Sequence, residues 1–186
     1  FLSKFLCDRR RREPRPEKIR NIVDLAREKA QKTESPVSAE SFDIRPACPK
    51  DIPLLAELFA QVFESYPFPI HDPDYLARTM QSHVQYFCAY DGSRLAAAGS
   101  CEVDHSAENV EMTDFATRPE YRRSGLAQTL LESMEDHMRR SGMQTLYTIA
   151  RSLSPGINVV FARQGYEYAG TLTQNTNICG KLESMN

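Results

Sequence analysis

Residues 109–141 read N-V-E-M-T-D-F-A-T-R-P-E-Y-R-R-S-G-L-A-Q-T-L-L-E-S-M-E-D-H-M-R-R-S, and they carry the strongest structural signal in the chain. Its first part, residues 110–116, is apolar enough to predict a buried strand. A short turn follows at residues 118–120. From Leu126, apolar residues recur at spacings of three and four, which predicts an amphipathic helix that Ser141-Gly142 closes. The stretch therefore predicts a strand, a turn and a helix in close succession.

The junction before the helix, Arg122-Arg123-Ser124-Gly125-Leu126-Ala127, indicates what the stretch binds. The start of a helix exposes backbone N–H groups and carries partial positive charge, which suits a phosphate or a pyrophosphate. Gly125 lets the backbone approach a bulky anion, and the two arginines add permanent charge. Neither the dinucleotide pattern G-x-G-x-x-G nor the P-loop pattern G-x-x-x-x-G-K-[ST] fits this junction. We therefore expect an anion-binding turn of another type.

Length and composition limit the class of protein. The chain has 186 residues, of which 41% are hydrophobic and 26% charged, and this composition fits one soluble globular domain with an appendage. No apolar run approaches the roughly 18 residues of a membrane span, so we expect no membrane partner. The five cysteines are dispersed and lack C-x-x-C spacing. They favour reduced thiols, a cytoplasmic location and no metal site.

Charge is unevenly distributed along the chain, whose net charge is −2. Residues 1–34 hold 11 Lys/Arg and 6 Asp/Glu, whereas the remainder holds 12 and 19. The acidic remainder argues against a nucleic-acid ligand and favours a cationic substrate. The run Arg9-Arg10-Arg11-Arg12 is a candidate phosphate or nucleic-acid contact. We favour a solvated surface, because Glu13 and Glu17 follow at once and no aromatic residue interleaves.

Predicted elements alternate after an N-terminal segment. Residues 1–41 are predicted to be a helical segment, with a helix from Pro16 to about Lys32, followed by a linker at 33–41. Residues 42–186 are predicted to be the main domain. Its strands are predicted at 42–47, 85–90, 94–104, 110–116, 145–150, 166–173 and 178–185, and its helices at 50–63, 73–83, 126–141 and 155–164. This order predicts an α/β fold with a mixed sheet.

The pattern R-x-x-G-x-A on a strand, a turn and a helix resembles the acyl-CoA pyrophosphate loop of the GCN5-related N-acetyltransferases (GNAT family). The element order is also similar to that family's. The resemblance implies a mixed, mostly antiparallel central sheet flanked by helices, and acetyl-CoA as co-substrate. It further implies a pantetheine arm paired with one short backbone segment and a pyrophosphate held by the junction. The implied contacts are Phe115, Ala116, Thr117, Arg122, Arg123, Ser124, Gly125, Leu126 and Ala127.

Acetyl transfer to an amine needs a neutral nucleophile, but a lysine-type amine has a pKa near 10.4. Deprotonation at pH 7 therefore costs about 4–5 kcal/mol unless the site assists. Glu111 lies in an otherwise apolar strand, eleven residues before Arg122. The resemblance implies that a glutamate at this spacing is the general base. Strand alternation predicts Glu111 and Phe115 on one face and Asp114 on the other, and Asp114 is the alternative base.

Residues 158–166, N-V-V-F-A-R-Q-G-Y, resemble a second motif of the same family, which implies that Asn158 contacts the pantetheine and that Phe161 also contacts the cofactor. Phe161 occupies a position where the family often has a tyrosine that protonates the departing thiolate, and a phenyl ring donates no proton. We therefore expect Tyr166 to be the donor, with Tyr168 and Cys179 as alternatives. A thiol has a pKa near 8.5, so the sulfur of CoA can also leave as an unprotonated thiolate.

A narrower resemblance covers roughly residues 42–186. The motifs D-F-A-T-x-P-E-Y-R, T-I-A-R-S-x-S-x-G-I-N, G-Y-x-Y-x-G-T-L-T-Q-N-T-N-I and L-E-S-M-N look like those of β-lysine N6-acetyltransferases. This resemblance implies acetylation of β-lysine to N6-acetyl-β-lysine, a neutral compatible solute, and further residues ahead of Phe1. The polar residues that we expect to line the substrate pocket are Tyr66 to His71, Arg151, Ser152, Asn175, Thr176 and Asn177.

Two other functions remain open on the sequence. The aromatic loop Tyr66 to Ile70 is compatible with a protein or peptide N-acetyltransferase of the same fold. Phe161, in place of the usual tyrosine, is compatible with a non-catalytic module that binds acyl-CoA for regulation. Each of these functions is compatible with a homodimer.

Overall fold

The computed structural model describes residues 3–31 and 42–186. Its contacts divide the chain into two compact units, one formed by Phe1–Thr33 with Ile149–Asn186 and the other by Glu34–Thr148. The predicted linker at residues 33–41 lies outside the described residues. The N-terminal helix thus belongs to the same unit as the C-terminal residues, and the domain boundary between residues 41 and 42 stays a prediction.

The larger unit is built on a five-stranded sheet in the order β1-β2-β3-β4-β5. The strands are β1 (Asp43–Pro46), β2 (Val84–Asp91), β3 (Arg94–Asp104), β4 (Asn109–Thr117) and β5 (Thr145–Tyr147). Neighbouring strands are antiparallel except for β4 and β5, which are parallel. The mixed, mostly antiparallel sheet is therefore confirmed, although β5 is shorter than the predicted strand at 145–150.

Six helices accompany the strands among the described residues. They are α1 (Asp8–Arg11), α2 (Pro16–Ala30), α3 (Ile52–Val62), α4 (Pro73–Met80), α5 (Leu126–Arg140) and α6 (Pro155–Arg163). The apolar side of α5 that the sequence predicted is buried, with Leu130, Leu131 and Met134 fully enclosed. Each such side chain stabilises the fold by about 1.5–3 kcal/mol. None of the described helices is long and apolar enough to cross a membrane.

The helices of the larger unit cover both faces of the sheet, since successive strand residues point to opposite sides. On one face, the ring of Phe87 in β2 meets His137 of α5, with ring centres 5.2 Å apart. On the other face, the next ring along β2, Tyr86, packs against Phe59 of α3 at 6.4 Å and bonds to Thr79 of α4 at 2.8 Å. The α3–α4 face of the sheet is the one that carries the candidate site.

A partly buried ion pair connects β1 to the start of α3. The guanidinium of Arg45 donates to both carboxylate oxygens of Asp51, at 2.8 and 2.9 Å. The hydroxyl of Tyr90 and the N–H of Cys48 donate to the same carboxylate at 2.6 and 2.7 Å. The hydrogen bonds from Arg45 are the main reason why the pKa of Asp51 lies far below its usual range. The carboxylate therefore stays ionised and fixes the first strand and helix together.

Replacing Asp51 by asparagine is expected to lower the free energy of unfolding at pH 7 by about 2 kcal/mol. This value is below that for a fully buried pair, because the Arg45 side chain is 38% exposed. The native pKa is depressed, so the stabilisation is complete above the unfolded pKa of about 3.9 and is lost as the pH falls through the native pKa. Urea unfolding at pH 7 and pH 3 should therefore show a smaller difference at pH 3. An equal difference at both pH values would contradict this account.

The smaller unit contains α1, α2, α6 and a two-stranded antiparallel sheet of β6 (Leu172–Ile178) and β7 (Lys181–Met185). The predicted helix from Pro16 is confirmed and packs against α6. It buries Ile19, Ile22, Val23 and Ala26, whereas Leu25 is 38% exposed. The strand predicted at residues 166–173 is wrong, because β6 begins only at Leu172. The sequence of β6, L-T-Q-N-T-N-I, is largely polar and shows little of the pattern that predicts a strand.

Candidate active site

A bulge interrupts β4, the strand that precedes the predicted anion-binding turn. Ala98 of β3 pairs with Ala116, whereas Ser100 pairs with Thr113, so that β4 has two residues where β3 has one. Asp114 lies in this bulge with φ +53°, a left-handed conformation that few non-glycine residues adopt. Such strain persists only where surrounding contacts hold it, and it is concentrated at functional sites.

The bulge changes which side chains share a face of the sheet. Alternation predicted Asp114 on the face opposite to Glu111. In the structure, the hydroxyl of Ser100 donates to Asp114 at 2.6 Å, and Glu102, two residues further along β3, pairs with Glu111. Residues two apart on a strand and residues paired across strands share a face. Asp114 therefore lies on the same face as Glu111, and the predicted separation of the two acids was wrong.

The Phe115 side chain lies on the face opposite to the predicted one. It was predicted on the same face as Glu111. However, a Cβ atom built on Gly99 would lie 3.4 Å from the Phe115 ring and 3.1 Å from Sδ of Met134 in α5. Gly99 thus faces α5, and the Phe115 ring extends to that side. The extra residue in the bulge reverses the alternation at this position.

Three acids on the α3–α4 face, Glu102, Glu111 and Asp114, form what we call the acid cluster. Burial, followed by the charges of the other two acids, raises the pKa of Glu111 to about 7. Burial and the charge of Asp114 raise the pKa of Glu102. Burial also raises the pKa of Asp114, against the opposing effect of its two hydrogen bonds. The cluster is therefore poised to take up protons or cations near neutral pH.

The two candidate bases differ in their hydrogen bonds. The hydroxyls of Tyr66 and Ser100 each donate to one oxygen of Asp114, at 2.5 and 2.6 Å. No hydrogen bond to the Glu111 carboxylate is found among residues 3–31 and 42–186. A general base needs an available lone pair and a pKa near the working pH. The geometry favours Glu111 over Asp114, and its role as base stays a prediction.

Tyrosine rings accompany the acid cluster. Tyr66 packs on Phe63 with ring centres 4.8 Å apart. Tyr147 of β5 pairs with Glu111, and burial followed by the charge of Glu111 raises the pKa of its phenol. Burial and the charges of Asp114 and Glu102 similarly raise the pKa of Tyr75 on α4. Aromatic faces and carboxylates both attract ammonium groups, so this surface suits an organic cation.

Of the residues around the cluster, four were not predicted from the sequence, namely Ser100, Glu102, Tyr75 and Tyr147. A signal for Glu102 was present. Asp104 and Asn109 pair across a polar turn, in which Asp104 accepts hydrogen bonds from the backbone of Ser106 and Ala107. Had this turn been recognised, the antiparallel register would have put Glu102 opposite Glu111.

The predicted anion-binding turn lies between β4 and α5. Arg123 and Gly125 adopt left-handed conformations, with φ +65° and +81°, and Gly125 is the N-cap of the helix. The Ser124 hydroxyl donates to the Tyr121 carbonyl at 2.7 Å, which holds the turn together. Within the described parts of the chain, no acceptor is found for the N–H groups of Gly125 and Ala127. These donors remain available to an anion.

Charge and shape at this turn agree with a pyrophosphate ligand. Arg122 and Arg123 are exposed, and the Arg122 Nε donates to the Thr117 carbonyl at 3.2 Å. This bond holds the Arg122 guanidinium near the end of β4. The turn therefore combines the positive end of a fifteen-residue helix with two permanent charges.

One edge of β4 is open next to the turn. β5 pairs with β4 only through Asn109–Glu111, and no described strand pairs with residues 112–117 on that side. An extended chain with amide groups, such as a pantetheine arm, can form hydrogen bonds to such an edge. Ala116 and Thr117, two of the three residues for which the resemblance implied this contact, lie on the open segment, and the contact of Phe115 stays a prediction.

Asn158 lies in the smaller unit, where its side chain is fully engaged. It donates to the carbonyls of Arg151 and Ser154 at 2.9 and 2.8 Å, and its oxygen accepts from Asn186 at 2.9 Å. These bonds connect α6 to the C-terminal end of the chain. The predicted contact of Asn158 with a pantetheine stays a prediction.

Phe161, Tyr166 and Arg151 also belong to the smaller unit. Phe161 is buried, and its ring meets that of Tyr166 edge-on at 4.8 Å. The predicted role of Tyr166 as proton donor is not tested by this packing. Arg151 forms a two-bond pair with Glu183, at 2.9 Å for each bond. The charge of Arg151, a predicted pocket residue, is thus already balanced within its own unit.

The turn before α5, the open edge of β4 and the acid cluster fit an acetyltransferase that uses acyl-CoA. The chain belongs to the acetyltransferase (GNAT) family, whose sequence profile matches residues 53–166. It is an N-acetyltransferase, and acetyl-CoA is its acetyl donor. The family, the enzyme class and the co-substrate that the resemblance implied are therefore confirmed.

Two curated relatives carry the same enzyme name. The chain is 40% identical over 186 residues to the β-lysine N(6)-acetyltransferase of Methanococcus maripaludis, covering 100% of this chain and 68% of that protein. It is 33% identical over 169 residues to the β-lysine N(6)-acetyltransferase of Methanosarcina mazei, covering 91% of this chain and 61% of that protein. The chain thus spans about two thirds of the length of these relatives.

Solved structures support the fold. The ribosomal-protein-S18-alanine N-acetyltransferase of Escherichia coli superposes with a TM-score of 0.67 at 18% identity. The match covers 77% of this chain and 89% of that one. At this level of identity the likeness concerns the fold alone.

Proposed function

We propose that this enzyme acetylates the side-chain amine of a small cationic amino acid, converting β-lysine to N6-acetyl-β-lysine. The observation that carries the proposal is the acid cluster, in which Glu111 has a pKa of about 7 beside two further acids. The names of the relatives, at 40% and 33% identity, support β-lysine as the acceptor. The product has no net charge, which agrees with a role as a compatible solute.

The chemistry of β-lysine suits the α3–α4 face. At neutral pH the molecule has two ammonium groups and one carboxylate, so it is a cation with two separate positive charges. Glu111 binds the amine that is acetylated. Glu102, which pairs with Glu111 across the sheet, is near enough to hold the second ammonium group. The tyrosine rings enclose the carbon chain between the two charges.

Glu111 performs the proton transfer of the proposed reaction. Acetyl-CoA, held by the turn at residues 122–127 and the open edge of β4, supplies the acetyl group as a thioester. As Glu111 takes a proton from the ammonium, the amine nitrogen becomes a nucleophile and forms a C–N bond at the thioester carbonyl. The C–S bond breaks and the sulfur leaves as a thiolate, whose protonated form has a pKa near 8.5. The nitrogen loses its second proton as the amide forms, and this proton balances the one that the thiolate takes up to give CoA thiol. Tyr166 remains the candidate donor to the sulfur and regains its proton from the nitrogen.

A turnover assay tests this proposal. Purified protein is incubated with acetyl-CoA and separate acceptors, namely β-lysine, α-lysine, spermidine and a lysine-containing peptide, and free CoA is measured with a thiol reagent. We expect the highest kcat/KM for β-lysine. If the peptide is the preferred acceptor, the enzyme modifies proteins or peptides. If no acceptor releases CoA, the proposed function is wrong.

A substitution at Glu102 distinguishes the recognition of a diamine from that of a monoamine. In Glu102→Gln, we expect kcat/KM for β-lysine to fall about tenfold, because one charged hydrogen bond contributes about 1.5–3 kcal/mol. Activity on 6-aminohexanoate, which lacks the second amine, should fall less, because it loses only the effect of the Glu102 charge on the pKa of Glu111, which both substrates share. Glu108→Gln is the matched control, since Glu108 is exposed in the turn before β4. Equal losses on both substrates would remove Glu102 from the recognition of the second ammonium group.

A further inference from the structure

Tyr66 joins the loop after α3 to the bulge in β4. Its hydroxyl donates to one oxygen of Asp114 at 2.5 Å, and the hydroxyl of Ser100 donates to the other at 2.6 Å. The Tyr66 ring is held against Phe63 at 4.8 Å. Asp114 is the residue at which β4 has the left-handed φ of +53°. Two hydroxyl groups from separate elements thus hold the strained position of the active-site strand.

These bonds also affect the charge next to Glu111. Hydrogen bonds donated to a carboxylate favour its ionised form. Burial raises the pKa of Asp114, and the bonds from Ser100 and Tyr66 oppose that rise. The charge of Asp114 in turn contributes to the raised pKa of Glu111. When two carboxyl groups interact, the proton goes to the one whose charged form is less stabilised. Between these two acids, that group is Glu111.

We infer that Tyr66 is a positioning residue for acetyl transfer, which fixes the bulge of β4 and, by donating to Asp114, assigns the proton-accepting role to Glu111. The inference rests on the proposed function, in which Glu111 is the base. Tyr66 itself touches neither the thioester nor the amine in this role. It acts through Asp114.

The test of this inference requires that a substitution of Tyr66 leave the other side chains around Glu111 unchanged. Glu102 faces it from β3, Asp114 from its own strand and Tyr147 from β5. The charged or titratable groups next to these are Tyr66, Tyr75 and Tyr86 beside Asp114, His83 and Tyr86 beside Glu102, Arg78 beside Tyr75 and Asp104 beside Tyr147. Tyr66→Phe leaves all of these side chains except Tyr66 unchanged, so a change in pH dependence arises from the lost bond to Asp114. It reaches Glu111 through the charge of Asp114, both directly and through Glu102, whose pKa also depends on that charge.

Tyr66→Phe removes the hydroxyl and keeps the ring on Phe63. Without its donor, Asp114 takes up a proton more readily, and the repulsion that raises the pKa of Glu111 decreases. The acid limb of the kcat/KM profile for β-lysine should therefore move down by roughly one pH unit. The plateau should also fall several-fold, because Glu111 becomes a weaker base.

Two further variants make the test specific. Tyr86→Phe is the matched control, because Tyr86 lies on the same face but its hydroxyl bonds to Thr79 rather than to an acid. Its acid limb should stay in place. Asp114→Asn should shift the limb in the same direction as Tyr66→Phe, and the double variant should shift it no further. If Asp114→Asn does not fold, Ser100→Ala replaces it, with a shift in the same direction.

The outcomes separate this inference from the proposed function. A lower rate in Tyr66→Phe with the acid limb unmoved, or shifts that add in the double variant, would reduce Tyr66 to a structural role and overturn the inference. An acid limb that persists in Glu111→Gln would instead show that Glu111 is not the base. That result would refute the proposed mechanism whatever Tyr66 does.

Discussion

Glu111→Gln is expected to lower kcat/KM at pH 7 by about 100- to 10,000-fold, the range that a positioned general base contributes. Glutamine keeps the shape of the side chain but accepts no proton at this pH. The acceptor amine, with a pKa near 10.4, then has to lose its proton to water before it attacks. The protein should stay folded, since no hydrogen bond to the Glu111 carboxylate is found among the described residues.

The pH dependence distinguishes loss of the base from general damage. Because burial and the neighbouring acids raise the pKa of Glu111 to about 7, wild-type kcat/KM should fall below that pH as the carboxylate becomes protonated. The variant should lack this limb and should recover toward wild type as the pH approaches 10, where the amine is neutral. Glu108→Gln, at an exposed carboxylate, should behave as wild type. A constant loss at every pH would remove Glu111 from the role of base.

Gly125→Glu is expected to raise the KM for acetyl-CoA by about 100-fold, the second of the two largest effects. The φ of +81° at Gly125 penalises any side chain by about 1–2 kcal/mol. A carboxylate at the start of α5 also competes with the pyrophosphate for the same N–H groups and repels it. Together these effects amount to about 3 kcal/mol. Titration of CoA by calorimetry measures the loss directly.

Two controls separate charge from backbone strain. Gly142, just after the other end of α5, has a similar φ of +85° and nothing within 4 Å of a built Cβ. Gly142→Glu therefore introduces the same strain and charge away from the turn, and its affinity for CoA should be unchanged. Gly125→Ala introduces the strain without the charge and should have an intermediate effect. Equal weakening in Gly125→Glu and Gly142→Glu would contradict a pyrophosphate site at the turn.

The central strand, turn and helix were predictable because their signals are local. The three-and-four spacing of apolar residues in α5 needs only the neighbouring sequence, and Gly125 is where the backbone requires a left-handed residue. The hairpin of β2 and β3 was marked by Asp91-Gly92 in the same way. The family resemblance then supplied what no single segment shows, namely the arrangement of these elements in the sheet.

The bulge at Asp114 was not predictable, since a regular strand has a period of two and the sequence contains no glycine at that point. Its cause is non-local, because the hydroxyls that hold it come from Ser100 and Tyr66, 14 and 48 residues away. The turn between β6 and β7 was missed for a different reason. It has Cys179 at φ +50° before Gly180 at +70°, and cysteine is an unusual residue for that conformation.

The most direct test of the account is to identify the product formed from an equimolar mixture of β-lysine, α-lysine, 6-aminohexanoate and a lysine-containing peptide. The mixture is incubated with carbon-13-labelled acetyl-CoA and wild-type protein, and in parallel with Glu111→Gln. Mass spectrometry and NMR then locate the label. We predict that wild type places it on N6 of β-lysine and that Glu111→Gln places almost none at pH 7. Label mainly on the peptide, or equal labelling by both proteins, would contradict the account.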